Sequence, residues 1–149
     1  MRELAAFFDV EPTEESVFAH RTSREVEEYA ASLLRATGTD WLLVDEGFPP
    51  PGTGIEWKRL GELAAARARP ILRLETLGAD AADHVTHARA EGFVALKTIA
   101  AYRGGLDRVS EHVVAALEAN EAAGNPLPVQ VHCGFGDSDL HSRARIRHT

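Results

Sequence analysis

Short apolar runs alternate with amphipathic segments along this chain, and the alternation predicts strands separated by helices. The apolar runs lack an inward and outward alternation, which is typical of strands covered on both faces. Strands are predicted at 40–45, 70–76, 93–100 and from 129 onward, and helices from 57, over 79–91 and over 107–123. This order predicts a parallel α/β sheet, either open or closed into a barrel.

The first 40 residues have helical patterns only. Thr13 follows Pro12 and is placed to cap a short helix over 14–20. A second helix is predicted to begin at Thr22, because Thr22 and Glu25 have the spacing of a capping box. Gly38 is expected to end that helix.

Composition places the chain among soluble globular proteins. It has 149 residues, of which 44% are hydrophobic and 26% charged, and this predicts a single domain. No apolar segment approaches the roughly 20 residues of a membrane span, and the first residues do not form a cleavable leader, so we expect a cytoplasmic protein without a membrane partner. A net charge of −7 argues against nucleic acid as a partner. Cys133 is the single cysteine, which excludes an internal disulfide.

Polar side chains stand where the predicted strands end. In parallel sheets the residues that do chemistry gather at the carboxyl ends of the strands. The candidates at those ends are Asp45, Glu46, Glu75, Lys97, Tyr102, Arg103, His132 and Asp137.

Lys97 interrupts the apolar run from Phe93 to Ala100, where an unpaired ammonium group would be expensive to bury. Three interpretations follow from its position. Lys97 forms an ion pair with Glu75 on the adjacent strand, or it is a Schiff-base lysine, or CO2 converts it to a carbamate that bridges divalent metals.

His132 ends the apolar run that begins at Val129, and Gly134 and Gly136 follow it. Its imidazole is either a satisfied structural group or a metal ligand, and the glycines favour a ligand because they clear space beside the ring. Lys97 precedes His132 by one strand-helix interval, so the two are expected on neighbouring parallel strands. By contrast, His84 and His87 form an H-x-x-H without a third ligand of fixed spacing, and we interpret them as part of a solvated helix face.

Four stretches, 43–52, 72–77, 95–106 and 127–140, resemble the amidohydrolase-related metal-dependent hydrolases. The nearest branch is the one found fused to glutamine-synthetase-like domains. The resemblance implies a (β/α)8 TIM-type barrel that holds a divalent metal, expected to be zinc, at the carboxyl ends of its strands. It also implies a metal-activated water that attacks an amide or ester-like bond of a small-molecule substrate.

By the same resemblance, His132 and Lys97 match metal-ligand positions on the fifth and fourth barrel strands. Four further residues fall in signature stretches and are expected to bind substrate or support the ligands; they are Glu75, Tyr102, Arg103 and Asp137. The family's His-x-His pair does not occur in the sequence, and the later histidine and proton-shuttle aspartate would lie beyond Thr149. No catalytic residue is therefore assigned.

The fold expected from these features is an incomplete β/α barrel over residues 1–140, with about four strands and without the first strand and the C-terminal half. Residues 141–149 carry three arginines and no apolar face, and we expect this basic tail to lie outside the fold. Two alternative functions stay open. One is a non-catalytic interaction module that forms homo-oligomers through open sheet edges, and the other is a Schiff-base lyase that uses Lys97.

Overall fold

The computed structural model describes residues 1–48, 52–100 and 109–132, in which helices and strands alternate as the sequence predicts. The elements in chain order are α1 (Arg2–Phe8), α2 (Glu14–Thr22), α3 (Val26–Ala36), β1 (Trp41–Asp45), α4 (Trp57–Ala64), β2 (Arg67–Arg73), α5 (Ala81–Ala88), β3 (Ala95–Thr98), α6 (Glu111–Ala122) and β4 (Val129–Val131). Two short 3₁₀ turns, Leu74–Thr76 and Gly78–Asp80, connect β2 to α5.

The strands form one parallel sheet in the order β1-β2-β3-β4. Arg73 of β2 is in register with Lys97 of β3, and Lys97 is in register with Gln130 of β4. Sequential parallel strands with helical connections are the arrangement of β/α units. The predicted α/β class is confirmed, and the fold is consistent with an incomplete β/α barrel.

The chain forms two compact units. One comprises Met1–Leu42 and Arg59–Arg67, and the other comprises Leu43–Lys58 and Ala68–Thr149. The second unit has an apolar core between β3 and its two helices, α5 and α6. The core residues are Leu74, Ala81, Val85, Ala88, Leu96, Val113, Ala116 and Leu127. Asn120 closes this core at one end, because its side chain hydrogen-bonds both the N–H and the carbonyl of Leu127.

The first unit packs smaller apolar residues and one aromatic stack. The ring of Phe8 stacks on His20, with centroids 4.4 Å apart, and on Tyr29, with centroids 5.2 Å apart. Arg35 donates from Nε to the carbonyl of Leu63 at 2.9 Å. Among the helices of the described ranges, none is long and apolar enough to span a membrane.

Two local predictions at the N-terminus have opposite outcomes. Thr13 caps α2 as expected, because its hydroxyl accepts from the N–H of Ser16. The capping role of Thr22 is wrong: Thr22 is the last residue of α2, and its hydroxyl donates back to the carbonyls of Phe18 and Ala19. α3 begins only at Val26, with Glu25 as its N-cap.

Candidate functional site

Three charged side chains meet on one face of the sheet, and we call Asp45, Arg73 and Lys97 the Asp45 cluster. Asp45 ends β1, and its Oδ2 lies 3.0 Å from Nζ of Lys97 and 3.6 Å from Nε of Arg73. The side chains are largely withdrawn from water, with exposed fractions of 10% for Asp45, 13% for Arg73 and 21% for Lys97. One carboxylate therefore faces two cations in a poorly solvated place.

The period of the β-strand explains why these residues meet. Successive side chains of a strand point to opposite faces, and residues in register share a face. Arg73 and Lys97 are in register, so both project to the side opposite Leu96, which is fully buried in the core. β2 ends at Arg73 and β1 at Asp45, which brings the three charges towards the carboxyl ends of the strands.

Gly47 fixes the carboxylate of the cluster from the loop after β1. Its N–H donates to Oδ1 of Asp45 at 2.8 Å. A Cβ atom at this position would stand 2.6 Å from Cδ and 2.8 Å from Cβ of Arg73. Glycine is required here because the loop backbone packs directly on the stem of Arg73.

Glu75 follows β2 in the 3₁₀ turn and braces the end of β3 instead of joining the cluster. Its Oε1 accepts from the hydroxyl of Thr98 and, at 2.9 Å, from the N–H of Ile99. Thr98 in turn accepts from the N–H of Ala100 at 3.1 Å. The carboxylate that pairs with Lys97 is therefore Asp45, and the predicted pair of Lys97 with Glu75 is wrong.

The second oxygen of Glu75, Oε2, is buried and accepts no hydrogen bond from the described residues. Glu46, the neighbour of Asp45, is directed elsewhere, because its carboxylate accepts from the N–H of Trp57 at the start of α4. Neither carboxylate forms an ion pair with Lys97 or Arg73 within the described ranges.

His132 directly follows β4 and is exposed. Its backbone N–H donates to the carbonyl of Thr98 at 2.9 Å, so the strand pairing continues to this residue. Because Gln130 is in register with Lys97, the alternation of an extended chain assigns Gln130 and His132 to the face of Lys97. Tyr102, Arg103 and Asp137 lie outside the described residues, as does the basic tail over 141–149.

His84 and His87 lie in α5, and both are exposed, as expected for a solvated helix face. Nδ1 of His87 lies 2.9 Å from the carbonyl of Asp83, one turn earlier. The described residues contain no group of three or more His, Cys, Asp and Glu side chains that could hold a metal ion.

The donors in the Asp45 cluster do not fit a divalent metal. A cation there would meet the Lys97 ammonium and the Arg73 guanidinium, and both repel it. The carbamate of Lys97 would place a second anion beside Asp45, whose Oδ2 lies 3.0 Å from Nζ of Lys97. His132 has the right chemistry for a ligand, but a single imidazole is not a metal site.

Comparison with known proteins supports the fold. No family model matches the chain, and neither does any curated protein. The chain is similar to a solved structure from Lactobacillus casei ATCC 334 that is provisionally named a metal-dependent hydrolase, with a TM-score of 0.59 and 23% identity. The match covers 91% of this chain and 47% of that one, so the chain spans about half the length of its structural neighbour. At this identity, the likeness shows a shared fold.

Sequence reasoning named Asp45 and Lys97 as strand-end candidates but overlooked Arg73 and Thr98. Arg73 is a charged residue inside an apolar run, as Lys97 is, and that signal was available in the sequence. Thr98 carried no such signal, because its role depends on a hydrogen bond with Glu75, which lies 23 residues earlier in the 3₁₀ turn after β2.

Proposed function

We propose that this chain forms part of a metal-dependent hydrolase of the amidohydrolase type, which cleaves an amide or ester-like bond in a small molecule. The observation that carries the proposal is the gathering of charged residues at the carboxyl ends of parallel β/α strands, where barrel enzymes hold their substrates. The fold shared with the Lactobacillus casei protein supports it.

Within this proposal, His132 is a zinc ligand whose partners lie outside the described residues. A neutral imidazole at a strand end is the commonest kind of zinc donor. Lys97 serves as a cation that binds and orients substrate, because its amine is engaged by Asp45 at 3.0 Å. Carbamate and Schiff-base formation both require a neutral amine, and the ion pair favours neither.

Metal content tests the role of His132. We expect the purified full chain, equilibrated with zinc and desalted, to retain about one ion per molecule by elemental analysis. His132→Ala should lose this ion. His84→Ala is the matched control, because it removes an exposed histidine from α5 and tests the H-x-x-H motif at the same time. Equal zinc in the wild type and His132→Ala, or none in the wild type, would contradict the proposal.

Self-association is a second candidate function, favoured by exposed apolar residues on the two outer strands. Leu43 of β1 is 56% exposed and Val129 of β4 is 38% exposed. Open strand edges with apolar side chains promote pairing with another chain. Light scattering across a concentration series should detect oligomers that Leu43→Lys weakens. A monomer at every concentration would exclude this candidate.

A further inference from the structure

The Asp45 cluster has more positive than negative charge. Arg73 and Lys97 both approach the same oxygen of Asp45, and no other carboxylate forms an ion pair with either cation within the described ranges. A largely buried charge needs a partner, because loss of its hydration is otherwise uncompensated. One positive charge of the cluster is therefore left over.

Arg73 is the less satisfied of the two cations. Its Nε is buried and lacks a hydrogen-bond partner, since Oδ2 of Asp45 at 3.6 Å is too far for a hydrogen bond. Buried polar atoms without partners are rare and need an explanation. A planar fork of N–H donors matches the oxygens of a carboxylate or a phosphate group.

The surroundings hold this fork in place. Gly47 packs against the stem of Arg73, and its N–H donates to Oδ1 of Asp45, the oxygen that the two cations do not approach. Lys97 keeps 21% of its side chain exposed, so the cluster is open to a solute. The cluster also lies at the carboxyl ends of parallel strands, the usual place for ligands in such sheets.

We propose that Arg73 and Lys97 form an anion-binding subsite that takes a carboxylate or phosphate group of a small molecule, with Asp45 as the internal anion that holds both cations in position. The inference deepens the proposed function, on which it rests for the identity of the ligand as a substrate. Binding of a simple anion is measurable without turnover or metal, so its failure is distinguishable from failure of the hydrolase proposal.

Calorimetric titration of the full chain with malonate and with inorganic phosphate, at constant ionic strength set by chloride, tests the subsite. We expect saturable binding of at least one of the two, and the stronger ligand identifies the class of anion. Arg73→Gln and Lys97→Met should each weaken binding about tenfold or more, as expected for loss of a charge-assisted hydrogen bond. Lys58→Gln is the matched control, because it removes an exposed cation that stacks on Trp57.

Asp45→Asn should change the anion affinity in the opposite direction. It removes the competing internal anion, so the affinity for the added anion should rise, and this result cannot come from a variant that merely fails to fold. Circular dichroism checks the fold of every variant. Absence of saturable binding in both the wild type and Asp45→Asn would overturn the proposal. Equal affinity in the wild type, Arg73→Gln, Lys97→Met and Lys58→Gln would also overturn it, because binding would then be unspecific.

Discussion

At their carboxyl ends, the two faces of strands β2 and β3 carry different kinds of residue, although neighbouring positions of the same strands form both. On one face, Leu96 of β3 is fully buried against helices α5 and α6, as is Leu74 directly after the end of β2. On the other face, Arg73 and Lys97 share a single carboxylate, and the buried Nε of Arg73 lacks a hydrogen-bond acceptor within the described residues. A step of one residue along the strand separates the two environments.

Because of this difference, we expect the apolar face to determine the free energy of unfolding and the charged face to determine ligand binding. The apolar face loses contacts when a side chain is shortened, because close-packed neighbours do not fully collapse into the space. The charged face contributes less to the free energy of unfolding, since the cost of removing its ions from water offsets their mutual attraction. An arrangement that gains little stability and leaves a donor without an acceptor is typical of a site arranged for a ligand.

The largest effect is expected on the apolar face. Leu96→Ala removes a fully buried side chain from the core and should lower the free energy of unfolding by about 3 kcal/mol. Denaturant unfolding followed by circular dichroism measures this loss. Val114→Ala, an exposed position on α6, is the control and should change little. A loss for Leu96→Ala no larger than that of the control would refute the assignment of this face as the core.

Removal of the internal anion should have the next largest effect. Asp45→Asn leaves two largely buried cations side by side, and we expect it to lower the free energy of unfolding by about 2 kcal/mol, less than for a fully buried pair. Lys97→Met leaves Asp45 paired with Arg73, so its loss should stay within about 1 kcal/mol. If Lys97→Met proved the more damaging of the two, Asp45 would not be the centre of the cluster.

A smaller loss is expected at Thr98, the buried polar residue on the face of Leu96. Thr98→Val keeps the shape of the side chain but removes the hydroxyl that donates to Glu75, and it should lower the free energy of unfolding by about 1 kcal/mol. Thr76→Val is the control, because its hydroxyl makes only a local, exposed bond to the carbonyl of Arg73. Equal losses of stability for Thr98→Val and Thr76→Val would show that the hydrogen bond between Thr98 and Glu75 does not stabilise the fold.

The smallest effect is expected for an exposed ion pair in the other unit. The hydrogen bond from Arg59 and its charge lower the pKa of Glu27, and Glu27 together with Glu62 raises the pKa of Arg59. A carboxyl group with a lowered pKa stabilises the folded state at pH values above the ordinary carboxyl pKa. This stabilisation is lost as the pH falls through the lowered pKa. Because both groups are solvated, thermal melts of Glu27→Gln and the wild type should nearly coincide at neutral pH and converge further in acid. A destabilisation at neutral pH as large as that of Asp45→Asn would contradict the contrast between solvated and buried charge.

The sequence predicted charged residues at the ends of these strands, but it did not predict which of them form ion pairs. Apolar runs predicted the four strands of the described residues, and the position of Lys97 inside one of these runs indicated that it has a partner. Which carboxylate pairs with Lys97 could not be predicted without knowing where β2 ends. The predicted strand ran to Thr76, whereas the chain turns into a 3₁₀ segment after Arg73. Arg73, the last residue of β2, is in register with Lys97, and the carboxylate of Glu75 accepts from the N–H of Ile99, two residues after Lys97.

Short-range signals were reliable only where the side chain acts locally. Thr13 caps α2 through a bond three residues away, and the sequence contains all that this bond needs. Thr22 has an equally good spacing to Glu25, yet its hydroxyl bonds back into α2, because the preceding helix continues that far. Thr22 could belong to the end of α2 or to the start of α3. Packing of the two helices decides between them, and a local sequence motif carries no information about that packing.

At the carboxyl ends of β2 and β3, we expect one face to stabilise the fold and the other to bind a ligand. The most direct measurement is to determine both the free energy of unfolding and the affinity for malonate or phosphate in two adjacent variants, Leu96→Ala and Lys97→Met. We expect Leu96→Ala to lose stability and keep its affinity, whereas Lys97→Met should keep most of its stability and lose affinity about tenfold or more. Parallel changes in both quantities for both variants would contradict it.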